Sequence, residues 1–553
     1  MNNFIAKIFP ISIIFVLLFS LHISCSSNEL SEDMNDLNSV SEPKFSSAAI
    51  NNSEIKVFTR IWNDPPTLDP HLTGDNTSAA IIVEVFGGLV AFDTSLNLIP
   101  DLAESWTISE DAKTYTFKIR ENAVFHDGKK VTAEDFKWSF NRAVDPNTAS
   151  PIAETYLGDI VGVKDVIKGN SDEIAGISVL DEYTLQIKID SPKAYFLQKL
   201  TYPTSYVLDQ DNVNSGKSNW TDFPNGTGPF KLTEYKIGEQ IVLERHADYH
   251  LEPAKLQKII MNLAGGSSMA MYENDEIDIT GVGLFDLERI KDPNDPLNSD
   301  LVIANPGFSI SYIGFNIMEP PFDDMNFRKA LNHAIDKELI AKEVMADLLV
   351  PAYGILPPGF PGYSDDLEGL RYDPDLAKQL LMKSKYANPE TRPRIVITIP
   401  GSGGTPNLDL EVIINMWFEN LGVEVEIQQV EWATFLNDLN RERFQAFGGL
   451  GWEADYPDPQ DFLDILFHSE SDKNNGSYSN DKVDSLLEEA RIESNINERL
   501  NLYNQVEQIV INDAAWIPLW FEGEGHVLIK PHIQGYVITP MTISKMRYVD
   551  VNN

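Results

Sequence analysis

The chain has 553 residues, with 84 acidic against 43 basic side chains, a formal charge of −41 and a single cysteine. At roughly 100–200 residues per domain the length serves about three domain-sized units with large buried cores, and 42% hydrophobic with 10% aromatic residues marks a globular chain. The acidity excludes generic binding to nucleic-acid phosphates and docking on anionic lipid through protein charge, and one cysteine excludes an internal disulfide, a four-cysteine zinc site and a thiolate iron–sulfur cluster.

Residues 8–21 form an apolar run, IFPISIIFVLLFSL, with Lys7 before it. A cationic start, an apolar stretch of about 7–15 residues and then small residues are the pattern of a secretory signal. The run falls short of the about 20 residues that a spanning helix needs, and Pro10 interrupts it. Ile23-Ser24-Cys25-Ser26-Ser27 follows directly. A small residue before a cysteine at this place resembles the lipobox of bacterial lipoproteins. That resemblance implies removal of residues 1–24, a lipid on Cys25 and export to the periplasm or the cell surface. An ordinary signal peptide with a chance cysteine is the plainer alternative. Residues 25–53 are rich in Ser, Asn, Glu and Asp and lack hydrophobic periodicity. They read as a disordered tether with an r.m.s. span of about 30 Å.

The body is mixed α/β. VFTRIW (57–62) reads as a strand, and Pro65, Pro66 and Pro70 then force an extended turn. Residues 77–90 read as a helix capped by Thr77 or Ser78, with Gly87-Gly88 near its end. TYTFKIR (114–120) alternates as a half-buried strand does. Asp127-Gly128 is a turn, and Thr132 with Asp135 three residues on predicts a capped helix start. TLQIKI (184–189), IVLERH (241–246) and KIIMNL (258–263) are further strands. A strand at 394–399, a helix at 407–420, a strand at 423–430 and a helix at 432–442 spell β-α-β-α, hence a parallel or mixed sheet. Helices at 481–492 and 496–512 and a strand at 517–523 follow.

Catalytic and metal signatures are missing from the sequence. His246 and His250 have i,i+4 spacing but leave a strand, without the Glu of a zinc protease. Gly401-Ser402-Gly403-Gly404 stands between strand and helix, yet lacks the Lys of a P-loop and the spacing of a dinucleotide fingerprint. No G-x-S-x-G elbow occurs, and His126-Asp127-Gly128 reads as turn chemistry. Carboxylates are too numerous for a glycosidase pair to be picked out. The expectation is a non-enzyme with no cofactor and no metal.

Six segments carry a resemblance: TLDPHLTGDNTSAAIIVEVFGGLV (67–90), the 100–151 stretch from PDLAESWTISEDAKTYTFKIR to DPNTASP, NGTGPFKLTEYKIGEQIVLERHADY (225–249), FRKALNHAIDKELI (327–340), YDPDLAKQLL (372–381) and GWEADYPDPQDFL (451–463). In this order they resemble the extracellular solute-binding proteins of family 5, the oligopeptide- and dipeptide-binding lipoproteins of ABC importers. The resemblance implies an α/β, type II periplasmic-binding-protein fold: two lobes with a hinge plus an extra domain. Domain I would be 54–99, 215–305 and 522–553; domain II, the extra domain of the first lobe, 100–214; domain III, the second lobe, 306–521.

It also implies a monomer that captures a peptide between the lobes and delivers it to the transmembrane subunits of an ABC permease. The protein would be membrane-bound only through its lipid, and would have no nucleic-acid partner. In the family's W-x-x-D-type motif the Asp holds the ligand's α-ammonium; here that residue is Asp455. Gly451, Trp452, Glu453 and Ala454 would offer backbone to the peptide, and Gly74, Asp75 and Asn76 would approach from the other lobe, with Tyr156 a further candidate. Asp69-Pro70 would fix the turn that presents 74–76. Better-known oligopeptide binders place a basic residue a few positions before the Trp, where this chain has Gly448 and Gly449. The alternatives are another solute on the same scaffold (an oligosaccharide, nickel or a metal chelate), a secreted hydrolase or an adhesion lipoprotein.

Overall fold

The computed structural model describes residues 55–215, 219–401 and 403–552. The signal-like segment, Cys25 and the 25–53 tether lie outside the described residues. Among the described residues no helix is long and apolar enough to cross a membrane.

Apolar–polar alternation produces the first sheets. Thr114–Ile119 buries Tyr115, Phe117 and Ile119 and turns the intervening residues outward. It pairs with Ala103–Ile108 and Thr184–Lys188, and Ile177–Asp181 completes an antiparallel four-stranded sheet. The helix Ala133–Val144 covers it, started by the expected capping box: Thr132 accepts from Asp135 N–H while Asp135 accepts from Thr132 N–H. A second four-stranded sheet orders Val57–Ile61, Lys258–Asn262, Gln240–Arg245 and Phe230–Lys236. A three-stranded sheet sets Gly525–Ile529 between Ile279–Gly281 and Leu301–Ala304. These sheets form a first lobe. It is closed by late residues: Lys56 pairs with Asp550, and the buried Glu84 accepts from Ser544 Oγ and from the N–H groups of Lys545 and Met546.

The second lobe is one mixed six-stranded sheet, in the order Leu349–Pro351, Trp516–Glu522, Ser309–Phe315, Ala446–Glu453, Ile395–Pro400, Val425–Val430. The expected β-α-β-α unit supplies its parallel edge, Ile395–Pro400 against Val425–Val430. The chain crosses between the lobes twice, after Ala304 on the way out and after Glu522 on the way back.

Two expectations are corrected. The helix expected over 77–90 is Asn76–Val85, and its cap is Asp75, whose carboxylate accepts from Ser78 N–H at 3.0 Å; neither Thr77 nor Ser78 caps it. Val90–Phe92 instead pairs with Leu98–Pro100 as a short hairpin. Two central strands, Ser309–Phe315 and Ala446–Glu453, were not marked by periodicity. Glycine dilutes both, and packing explains why. A Cβ on Gly314 would lie 2.3 Å from the buried Phe447 ring. Gly448 and Gly449 form a β-bulge opposite Ile313, with Gly449 at φ +66°. Replacing Gly314 by Ala is expected to lower stability by about 1–3 kcal/mol through overpacking; a urea unfolding midpoint equal to wild type would contradict this packing account.

Candidate functional site

The bulge redirects the strand that carries the candidate residues. Up to Phe447 the strand lies between Ser309–Phe315 and Ile395–Pro400, paired to the latter at Ile397–Ala446 and Thr398–Phe447. Beyond the bulge only Ser309–Tyr312 pairs with it. Among the described residues the other edge of 450–453 has no strand neighbour, and these four residues border a cavity of about 640 Å³ between the lobes.

The floor at the strand's end is built by a buried ion pair. Arg499, on the helix Ile496–Asn512, donates to both oxygens of Asp458 at 2.8 and 2.7 Å, to Tyr503 Oη and to the Ala490 carbonyl. Asp458 stands between Pro457 and Pro459, and a π-helical turn, Gln460–Asp464, follows. That turn aims Asp461 back at the strand end. Its Oδ2 accepts from Asp455 N–H at 3.0 Å and from Trp452 Nε1 at 3.4 Å, while its buried Oδ1 has no partner among the described residues.

Asp455 lines the cavity, and from the first lobe the Tyr156 hydroxyl donates to its Oδ2. Burial holds its carboxyl above the usual range, opposed by the Tyr156 bond and the charge of Lys473. Asp461 is raised further, by burial and by the facing charge of Asp455. Glu453 bridges the lobes: it accepts from Asn76 Nδ2 at 2.6 Å and from Thr542 Oγ1 at 3.2 Å. Burial, with Glu522 nearby, pushes it up to about 7. Tyr156 stacks on Tyr202 at 3.8 Å, and Arg499 lies 5.4 Å over Tyr195. The lobes are thus in contact in a closed arrangement.

Gly74, Asp75, Asn76 and Tyr156 from the first lobe and Gly451, Trp452, Glu453 and Asp455 from the second all line this one cavity. Ala454 does not. It is 2% exposed and its N–H donates to the Phe308 carbonyl, because it turns inward at the end of the strand. Asp75 has spent one carboxylate oxygen on its helix cap. Asp69 and His71 hold the preceding turn as expected for a structural element: Asp69 receives two bonds from Arg142, and His71 joins Arg142 and the Tyr206 carbonyl. His246 and His250 are spent on the Gly228 carbonyl and on Asp101.

Sequence reasoning missed Tyr202, Tyr312, Trp432, Asn440, Arg441 and Lys473, which also line the cavity. Only Trp432, at the start of an expected helix, carried a local signal.

The description "bacterial extracellular solute-binding proteins, family 5 middle" belongs to the family model that matches residues 97–474. The periplasmic oligopeptide-binding protein OppA of Escherichia coli is 30% identical over 494 residues, covering 85% of this chain and 87% of its own. Heme-binding protein A of Haemophilus influenzae is 31% identical over 499 residues, covering 86% and 88%. Among solved structures, the Escherichia coli murein tripeptide binding protein MppA superposes with a TM-score of 0.82 at 27% identity, over 90% of this chain and 99% of its own. The unliganded open form of MppA reaches only 0.64 over 90% of this chain and 98% of its own, again at 27% identity. The lobes here are set differently from that open form, in keeping with the bonds across the cleft.

Burial is the first cause that pushes Glu453 up to about 7, and the first-lobe residues Asn76 and Thr542 close over it, so closure and protonation of Glu453 favour one another. Closure of the empty protein is therefore favoured in acid and weakened as pH rises through about 7. The radius of gyration of ligand-free protein, by X-ray scattering, is expected to grow between about pH 5 and about pH 8, with a smaller growth in Glu453→Gln. A size independent of pH would contradict the assignment.

Proposed function

We propose, on the premise that this chain belongs to the bacterial extracellular solute-binding proteins of family 5, that it captures peptides in the interlobe cleft and hands them to an ABC permease. The observation that carries the reading is the pairing of two features at one place: a half-buried carboxylate, Asp455, and a strand edge at 450–453 that has no strand neighbour among the described residues. Every extended peptide has one free ammonium and one backbone donor and acceptor per residue, whatever its side chains. Asp455 would take the ammonium, a charge-assisted bond worth about 1.5–3 kcal/mol net. The open edge would take the backbone as an added strand. The side chains of Trp432, Trp452 and Tyr312 would line the space left for the ligand's side chains.

Burial disfavours the ionised form of Asp455 while the cleft is closed and empty. An incoming ammonium supplies the missing positive charge, so the ligand removes the penalty that the empty closed form carries. Tyr156 donates to the same carboxylate from the opposite lobe, so the anchor joins both lobes. In this reading domain I is 54–99, 215–305 and 522–553, domain II is 100–214 and domain III is 306–521. The segments after Ala304 and after Glu522 serve as the hinge. Cys25 carries the lipid that keeps a monomer at the periplasmic or outer surface of its membrane.

Native mass spectrometry of purified protein is expected to show co-purified short peptides; recovery of a haem, sugar or metal chelate in their place would overturn the peptide reading. Asp455→Asn is expected to weaken binding of free-amine peptides by about tenfold or more and of N-acetylated peptides far less. Equal losses for both would remove Asp455 as the ammonium anchor.

A further inference from the structure

Lys473 is a buried cation for which the capture of an ammonium by Asp455 gives no role. It lies in the wall of the same cavity, 7% exposed. Its Nζ has one polar partner among the described residues, the neutral Asn440 Oδ1 at 3.3 Å, and takes part in no ion pair there. An ammonium has three donors, and a buried charge is costly unless it is paired. Two donors are left to face the cavity. Across the cleft stands Gly74: a Cβ on it would be 3.5 Å from Lys473 Nζ and 3.5 Å from Ile152 Cγ2. The ammonium therefore reaches the cleft at Gly74, where the first lobe has no side chain.

Lys473 and Asp455 line the same cavity, and the charge of each acts on the other, so one bound ligand can meet both. We propose that Lys473 is a second charge anchor, selecting ligands that carry a carboxylate as well as a free amine. That carboxylate is either the C-terminus of a dipeptide or an acidic side chain of a longer peptide.

This inference rests on the peptide reading above. Burial lowers Lys473 to about 8, partly offset by Asp472 and Asp455, so it retains its charge at neutral pH and would bind a carboxylate there. Gly448 and Gly449 leave no cation on the strand itself. Lys473 supplies one from a different segment.

The test is calorimetric titration of the lipid-free mature protein with four probes: alanyl-alanine, its C-terminal amide, Ala-Glu-Ala-Ala and Ala-Gln-Ala-Ala. Wild type is expected to bind the acid member of at least one pair about tenfold or more tighter than its neutral partner. Which pair shows it identifies the source of the carboxylate. Lys473→Met is expected to abolish that preference while still binding the neutral probes, and Lys473→Arg to keep most of it. A preference that survives in Lys473→Met, or wild type with no preference in either pair, overturns this inference and leaves the peptide reading standing. A wild type that binds none of the probes, with no peptide co-purifying, overturns the peptide reading and this inference with it.

Discussion

The bidentate pair of Arg499 with Asp458 holds the chain exactly where the candidate anchor is made. Both partners are buried, and the guanidinium is further committed to a carbonyl and a tyrosine hydroxyl. A pair in such a setting contributes little net stability, but removing one partner costs about 3–5 kcal/mol because the other charge is stranded. It therefore pins the Pro457–Pro459 turn to the helix behind it. The π-helical turn that follows then has a fixed starting point, and Asp461 a fixed aim. Asp455 and Trp452 receive their orientation from Asp461. The bulge at Gly448–Gly449 completes the geometry from the other end of the strand.

Closure concentrates acid groups around the cleft. Asp455, Asp461 and Glu453 are all driven toward their neutral forms by burial. The contacts that oppose this cost are aromatic and apolar. Tyr156, Tyr195 and Tyr202 of the first lobe share a buried cluster with Tyr312, Phe462 and Trp516 of the second. A cationic ligand group relieves the electrostatic cost without disturbing that cluster. The charge of −41 is not explained by the cleft, which uses only a few of the 84 acids.

The fold was readable wherever local signals and tertiary packing agree. The capping box at Thr132, the alternation of 114–119 and the two late helices at 481–492 and 496–512 stand where the residues place them. The strands through Gly314 and Gly449 were hidden because their residues answer to neighbours in other strands, and a close approach of two backbones has no local periodicity. The same holds for the site. Asp455 and Trp452 sit in one motif and were visible together. Asn440 and Arg441 come from one segment and Lys473 from another, and only the fold brings them to one cavity. Ala454 lies just past the strand, its side chain buried and its N–H given to the Phe308 carbonyl, so it stands outside the cavity lining.

One feature of the first lobe bears on how the molecule is made. Its earliest strand is tied to Asp550, its first helix to residues 544–546, and one of its sheets is centred on Gly525–Ile529. Contacts of such sequence separation are slow to form. As the ribosome delivers the chain from its amino end, this lobe cannot be completed until residues 525–551 have appeared. The second lobe too waits for late residues, because its strand Trp516–Glu522 stands inside its sheet. A nascent chain therefore spends most of its synthesis with the first lobe unfinished, the condition in which a polypeptide can still be threaded through a membrane.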